Sequence, residues 1–508
     1  MPYLMGIDIG TSGVKTIVVD HEGKLIARAV IDYPLYCPQP GWSEQNPADW
    51  WAGTLESVRL VLSCGKVTAD QIVGIGLSGQ MHGSVFLDAA GQVIRPALLW
   101  NDQRTAAQCD YITSTVGRET IVAETCNPVL TGFQAPKIIW LRDHEPQNFE
   151  RLAQVLLPKD YLRYMLTGVF ATEVSDASGT ALFNVPQRRW SSVILDKLGL
   201  PASWFPRVYE SPEVSGEITA EVAALTGLKA GTPVVGGGGD QAAGGVGNGI
   251  VESGAVSCTT GTSGVVFAHL DQPLMDPQLR THTFCHAVPG KWHVMGVMLA
   301  AGGSLQWLRN TLCNEERAVA LQLEQDPYEV MTAEAAQAPP GSEGLLFLPY
   351  LTGERTPYPD PNARGVFFGL SLRHQKRHLI RAVLEGVAFG LQDCFELIAS
   401  LGLDMPEVRA SGGGARSLLW RQIQADVSNR AMSVINVDEG AAFGAALLAG
   451  VGAGVYSDVP SACRSTIKVT STLQPDAANA ALYQRQYQLY KTLYQHLKVD
   501  FEALSKLQ

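Results

Sequence analysis

The sequence predicts an α/β protein built by duplication, with two domains facing each other across a central cleft. Two observations carry this. The pentapeptide Gly-Thr-Ser-Gly-Val occurs at Gly10–Val14 and again at Gly261–Val265, about half of the 508-residue chain apart. Apolar runs flank both copies, "YLMGIDI" and "KTIVVD" around the first, "GAVSCTT" and "VFAHLD" around the second, so each reads as a β-hairpin with a tight small-residue turn. Strands alternate with helical segments in both halves, which is the pattern of an α/β architecture. Single cores stop growing near ~250–300 residues, and the expected division is 1–247 and 248–508.

The elements follow in order. After the first hairpin come a strand in "KLIARAVIDYPL" and a helix in "NPADWWAGTLESVRLVL", opened by Asn46 as N-cap and Pro47 in the first turn. "QIVGIGLSGQMHG" reads as a buried strand entering a turn, "SVFLDAAGQVIRPALLW" as a further hairpin, and Thr131–Thr167 as helical. "GTPVVGGGGDQAAGGVGNG" closes the first half. In the second half a strand is expected at "KWHVMGVML", and a helix following "AGGSLQWLRN". A long helix is expected at about 375–401, a strand-turn-helix at "EVRASGGGARSLLWRQIQAD", and a last amphipathic helix at about 478–507.

Composition bounds the function. With 46% hydrophobic and 17% charged residues the chain is an ordinary core-forming one. The N-terminus lacks a basic region followed by an apolar one, so no secretory signal is read. The most membrane-like run, Gly440–Tyr456, is mostly Gly and Ala and falls short of the ~20 strongly apolar residues of a span; a buried small-residue helix is expected instead. Nine cysteines without a C-x-x-C pair suggest reduced thiols in a cytoplasmic protein. A net charge of −11 and no block of five or more Lys/Arg argue against a nucleic-acid partner, and no membrane partner is expected.

Several signatures fail. No G-x-x-x-x-G-K-[ST] is present. Gly74, Gly76 and Gly79 form a G-x-G-x-x-G after a strand, but "QMHGSVFLDAAGQV" follows where a dinucleotide fold needs a helix. His282, Cys285 and His286 lack a fourth ligand at zinc spacing, and Gln375 stands where a zincin between His374 and His378 needs Glu, so those two histidines read as a solvated helix face.

Phosphate cradles remain. Asp8 ends a buried strand, where an uncompensated carboxylate is costly and Mg²⁺ with its waters is a natural partner. Gly10, Thr11, Ser12 and Lys15 follow it, and Thr260, Gly261 and Thr262 form the second turn. A third glycine turn, "SGGGARS" at Ser411–Ser417, opens a helix with free N–H groups. Asp240 stands alone among the eight glycines of "GGGGDQAAGGVGNG", which keep space clear for a ligand around one carboxylate.

These segments resemble the FGGY carbohydrate kinases along nearly the whole chain. That family shares the duplicated actin/hexokinase-like (ribonuclease H-like) ATPase fold. "GIDIGTSGVK" resembles its first phosphate loop, "GGGGDQAAGGVG" the block with its catalytic Asp, and "AGGSLQW" and "SGGGARS" its nucleotide segments. "GVFFGLSLRHQKRHLIRAVLEG" has the spacing of one family signature from Gly365 to Glu385, and "GFQAPKIIWLRDH" resembles the other, with Gln134 where Pro, Ser or Thr is usual. Within the family, "SGQMHG", "WNDQR" and "LPKDYLR" look most like xylulokinases.

The resemblance implies ATP and Mg²⁺ as cofactors and a sugar as substrate, D-xylulose phosphorylated at O5. Asp240 is then the general base, Asp8 the metal residue acting through water, and Thr11 and Lys15 contacts of the phosphoryl group. Gln80, Met81, His82, Trp100, Asn101, Asp102 and Gln241 would join Asp240 around the sugar. Gly10, Thr11, Ser12, Thr260, Gly261, Thr262, Gly302, Gln306, Gly413, Gly414 and Arg416 would line the nucleotide. A homodimer is common in such families. Other ketoses, glycerol and gluconate stay open as substrates, as does an actin- or Hsp70-like ATPase driving a protein partner.

Overall fold

The computed structural model of the chain describes residues 2–507. The duplication extends to the order of the strands. In the first sheet, Tyr3–Ile9 pairs antiparallel with Gly13–Asp20, which pairs antiparallel with Leu25–Asp32. On its other side Tyr3–Ile9 runs parallel to Ile72–Gly79, then come Pro233–Val235, parallel, and Val214–Glu217, antiparallel. The second sheet repeats the series. Ala255–Thr260 pairs antiparallel with Gly264–Leu270, and that strand with Trp292–Met298. Ala255–Thr260 also runs parallel to Glu407–Ser411, followed by Met432–Ile435 and antiparallel Val469–Leu473. His282–Cys285 adds one further edge strand.

Strand residues of the two sheets thus separate near the expected boundary, but the helices do not. The helix Ala441–Gly452, from the second half, lies on the first sheet. It does so because that sheet offers glycines: a Cβ on Gly6 would stand 1.9 Å from Ala442 O, on Gly74 2.9 Å from Ala449 O, and on Gly76 1.8 Å from Ala445 O. The Gly-x-Gly of "VGIGLSG" is therefore a helix seat and not a dinucleotide loop. The helix Asp240–Gly247 packs against the same partner. Cβ atoms on Gly444 and Gly247 would meet Ala243 O at 1.8 Å and Gly440 O at 2.2 Å.

Local signals hold at most elements. The Asn46 side chain accepts from Ala48 N–H at 3.1 Å and opens the helix Pro47–Ser63. The long helix runs Lys376–Ser400 and the last one Ala477–Ser505, whose Tyr483, Tyr487 and Tyr490 enter the core of the second half. One boundary is corrected: the helix expected after "AGGSLQWLRN" begins within it, at Gly302, and runs to Leu312.

Other expectations are extended or corrected. The "SVFLDAAGQVIRPALLW" segment forms the expected hairpin, turning at Asp88–Gly91 with Leu87 bridged to Val93 and Ser84 to Leu98, and its arms also take distant partners: Val85–Leu87 pairs with Gln154–Leu156 and Ala97–Leu98 with Glu44–Gln45. Residues Thr131–Thr167 form helices Gln134–His144, Pro146–Glu150 and Pro158–Thr167, interrupted by that short strand. His374 and His378 are no solvated face. Their Nδ1 atoms accept from Ser371 N–H (2.9 Å) and Gln375 N–H (3.0 Å), closing the turn into the long helix. The unusual Gln134 is buried, and its amide reaches Gly83 O and Leu156 O, both at 3.2 Å. Six of nine cysteines are buried and all are free. Among the described residues no helix is long and apolar enough to cross a membrane.

The contact between the two small-residue helices makes a sign test. Alanine normally stabilises a helix relative to glycine by ~0.5–1 kcal/mol, and Gly244, whose Cβ would meet nothing within 4 Å, should follow that rule. Gly444→Ala should instead lower the melting temperature, with a loss of ~1–3 kcal/mol from overpacking against a backbone carbonyl. Calorimetry of the two variants side by side checks the reversal.

Candidate active site

The carboxyl end of the first sheet gathers one group of candidate residues. Asp8 lies across from Lys15 on one neighbouring strand and Ser78 on the other. The hairpin turn closes with Gly10 N–H on Gly13 O at 2.9 Å, and Tyr33 OH donates to Gly10 O. The Thr11 hydroxyl accepts from Trp100 Nε1–H at 3.0 Å and donates to Gln80 Oε1 at 3.3 Å, so "GTSG", "QMHG" and "WNDQR" meet in one place. Met81 underlies Gly239, where a Cβ would stand 2.8 Å from its Cγ. Asp240 and Gln241 then start the helix Asp240–Gly247.

The glycines before Asp240 have a different cause from the one the sequence suggests. Gly237 has φ 71° and would place a Cβ 2.0 Å from Leu77 O, and Gly236 would place one 2.6 Å from Glu210 O. They let the main chain cross the sheet end tightly, and so fix Asp240 at a helix start with a shielded carboxyl.

Asp8 and Asp240 face each other electrostatically. Burial raises the Asp240 pKa to about 7, and the charge of Asp8 adds to the rise. Burial also raises Asp8, opposed by the charge of Lys15. Asp8 Oδ1 is buried without a hydrogen-bond partner. An orphaned carboxylate oxygen repelled by a second carboxyl fits a hard divalent cation such as Mg²⁺. Among the described residues no group of three or more His, Cys, Asp or Glu side chains forms a protein-only metal cage; the cation would be shared with phosphate oxygens and water.

Not every candidate points into the space. Gln80 is buried, and its Nε2 also donates to Gln45 Oε1 at 2.9 Å. Asp102 is fully buried: Oδ2 accepts from Ser43 N–H at 2.7 Å and both oxygens take the Arg104 guanidinium, with NH2 at 2.7 Å. Both therefore serve as struts of the wall, with no surface left for a ligand. Lys15 pairs with Glu439 at 3.2 Å, from the loop before the helix Ala441–Gly452. His82 sits at φ 69° with Nδ1 2.8 Å from Gly179 O, and burial pushes its pKa down to about 3, so it is a neutral imidazole. Asn101 Oδ1 is buried and unpartnered. Ser12, at the turn tip, is exposed.

The second half holds a cavity of about 510 Å³. Thr260, Gly261, Thr262, Gly302, Gln306, Gly413, Gly414 and Arg416 all line it. The second hairpin turn is docked on the next helix, with Gly302 N–H on Gly261 O at 2.7 Å and Gly303 N–H on Thr262 O at 3.0 Å. Arg416 is exposed and pairs with Asp438 at 2.8 Å. Leu305, Tyr328, Thr332 and Trp420 add to the wall, as do the carboxyls of Asp326 and Glu329, and all escaped the sequence reading; they come from helices and a cap with ordinary patterns, which carry no ligand signal. A pocket of this size, half apolar with converging amides and hydroxyls, suits a nucleoside.

Residues 3–247 match the model of the FGGY family of carbohydrate kinases, N-terminal domain, and residues 256–453 that of its C-terminal domain. The chain is 40% identical to a xylulose kinase of Bacillus subtilis, covering 98% of each chain. It is likewise 40% identical to a xylulose kinase of Escherichia coli, over 97% of this chain and 99% of that one. Among solved structures, the xylulose kinase of Rhodospirillum rubrum superposes with a TM-score of 0.88 at 31% identity, covering 98% of this chain and all of that one.

The coupled carboxyls give a direct test. In the ligand-free protein Asp240 should titrate near pH 7, and Asp8→Asn should move the midpoint down by removing the repelling charge. Carboxyl ¹³C shifts of labelled aspartate read both; a midpoint near 4 in the unmodified protein contradicts the arrangement.

Proposed function

The chain belongs to the FGGY family of carbohydrate kinases, and from that premise we propose that it phosphorylates D-xylulose at O5 with ATP, giving D-xylulose 5-phosphate and ADP. The observation that carries the chemistry is Asp240: a carboxyl with its pKa raised to about 7, at a helix start, facing a second carboxyl across the end of the first sheet. A carboxyl of that pKa is partly ionised near neutrality and is a stronger base than an ordinary carboxylate, which suits it to take a proton there. The xylulose kinase relatives, alike over nearly the whole chain, support the choice of sugar.

In this reading Asp240 accepts the O5 proton as that oxygen attacks the γ-phosphoryl group in line. Met81, His82, Trp100, Asn101 and Gln241 border the sugar, while Gln80 and Asp102 hold those residues from behind. His82, kept neutral and turned by its bond to Gly179, offers one nitrogen to a hydroxyl. The turns at Thr11 and Thr262 bear on the phosphates from the two halves, and the nucleoside occupies the cavity between Thr260 and Trp420. Mg²⁺, held near Asp8, supplies neutralisation of phosphate charge. Lys15 reaches the phosphoryl group only by leaving Glu439, so its role is tied to movement of the halves. Closure on the sugar would also exclude water from the phosphoryl group. Free thiols, six of them buried, suit a reducing cytoplasm.

Asp240→Asn should lower kcat at least ~10²-fold while leaving sugar affinity nearly intact. The measurement is sugar-dependent ADP release with D-xylulose, L-xylulose, D- and L-ribulose, glycerol, gluconate and no sugar. Highest turnover with D-xylulose is the expected outcome. Highest turnover with another member replaces the sugar, and sugar-independent hydrolysis throughout overturns the kinase reading.

A further inference from the structure

If the acceptor hydroxyl sits at Asp240, the rest of a ketose extends past Met81 towards His82. The far end of that path has an aromatic wall. The His82 ring centroid lies 4.7 Å from Phe133 and 6.0 Å from Phe284, and His282 stacks 5.9 Å from Phe284. Val297, on the strand Trp292–Met298, packs into the same cluster as Met81, Phe133 and Phe284. This is where the second half of the chain meets the sugar-facing residues of the first.

A loop of the second half is pinned beside that wall on both sides of one arginine. Glu354 Oε1 accepts from Leu299 N–H at 3.0 Å and from Arg355 N–H at 2.7 Å. Thr356 N–H donates to Val297 O at 3.2 Å, the Thr356 hydroxyl donates to Arg280 O at 3.0 Å, and its oxygen accepts from Val297 N–H at 3.1 Å. Arg355 itself has no hydrogen bond or ion pair from its guanidinium among the described residues; burial disfavours its charge and only Glu354 offsets this. Its charge is felt by His82 and His282, behind burial as the main cause of their depressed pKa values. Half-buried and unpaired, the guanidinium presents its five donors to the solvent-open space beside this wall, where a ligand's oxygens can take them.

We propose that Arg355 is a substrate-binding residue that reads the carbonyl end of the ketose. Its planar fork donates to the C2 carbonyl oxygen and the C1 hydroxyl while Asp240 engages the opposite end. The position beside two neutral imidazoles and an aromatic wall, away from the glycine turns, selects the sugar over the phosphates. Because Arg355 belongs to the second half and Asp240 to the first, one substrate molecule bridges the two, which makes closure depend on the sugar. The inference rests on the kinase reading above.

The test compares Arg355→Gln and Arg355→Lys with the unmodified enzyme. D-xylulose and 1-deoxy-D-xylulose, which lacks the C1 hydroxyl, are measured as substrates. Arg355→Gln should lower kcat/KM for D-xylulose by ~10- to 100-fold, the size of lost charge-assisted hydrogen bonds, and by a smaller factor for 1-deoxy-D-xylulose, where one of the two bonds is already absent. KM for ATP should stay unchanged, and Arg355→Lys should fall between. Equal losses for both sugars, no loss for D-xylulose, or a raised KM for ATP overturns the assignment. Melting temperatures of both variants separate a folding defect from a binding one. An unmodified enzyme inactive on D-xylulose overturns the substrate reading, and this inference with it; an active one with an unimpaired Arg355→Gln overturns this inference alone.

Discussion

The fold depends on a contact that no side chain makes: two helices of glycine and alanine, Asp240–Gly247 and Ala441–Gly452, pressed backbone to backbone. At Gly444 and Gly76 even a methyl group would lie inside 2 Å of a carbonyl oxygen. Close approach at these points lets the second helix seat on the first sheet while its partner packs against Phe267 of the second sheet through Gly245. Packing at interior density tolerates little volume change, so the spacing of the two halves is set here. The same helix start that makes this contact carries Asp240, which ties the position of the carboxyl to the joint between the halves.

Electrostatics at the joint follow from that placement. A helix start would ordinarily favour a carboxylate, yet Asp240 is raised to about 7 because burial and the charge of Asp8 outweigh it. Asp8 in turn has an orphaned oxygen. Fixing two carboxyls together in a shielded place costs stability that structural packing alone would not select. Lys15, held by Glu439, sits at the edge of this pair and carries the compensating charge toward the second half's loop.

What was legible in the sequence was local. Hairpin turns, the Asn46 cap and the small-residue helix are each specified by a few adjacent residues, and all are found where the pattern puts them. The cavity residues Thr260, Gly261, Thr262, Gly413 and Gly414 were legible for the same reason, since glycine and threonine turns announce themselves, whereas Gly302 and Gln306 came only from the family resemblance. Long-range geometry was not. Asp102 and Gln80 look like polyol partners until Arg104, Ser43 and Gln45 are brought to them from elsewhere. Beyond their own hairpin, the strands after Gly83 take further partners more than fifty residues away, which no period in the sequence reveals. Tyr328 and Trp420 sit on helix faces indistinguishable from core.

The duplication also shows how one scaffold was divided between two tasks. Asp8 faces Ser78 across a parallel strand pair, and the matching residue of the second sheet, Thr259, faces Ser411 in the same register, their hydroxyls 2.8 Å apart. Lys15 corresponds to Val266, and the helix that begins with Asp240 corresponds to one that begins with Ala441. Charge is thus present at these positions in the first half and absent from their counterparts. The third glycine turn, Gly412–Arg416, follows its strand as Gln80–His82 follows its own, but without the buried polar struts. The cavity of the second half has no carboxyl at the positions that match Asp8 and Asp240, and the acidic residues on its wall, Asp326 and Glu329, come from a helix and its cap. The half that holds Asp8 and Asp240 can accept a proton and attract a cation. Equivalent backbones with unequal charge thus put a coupled carboxyl pair on one side of the joint and an open cavity on the other.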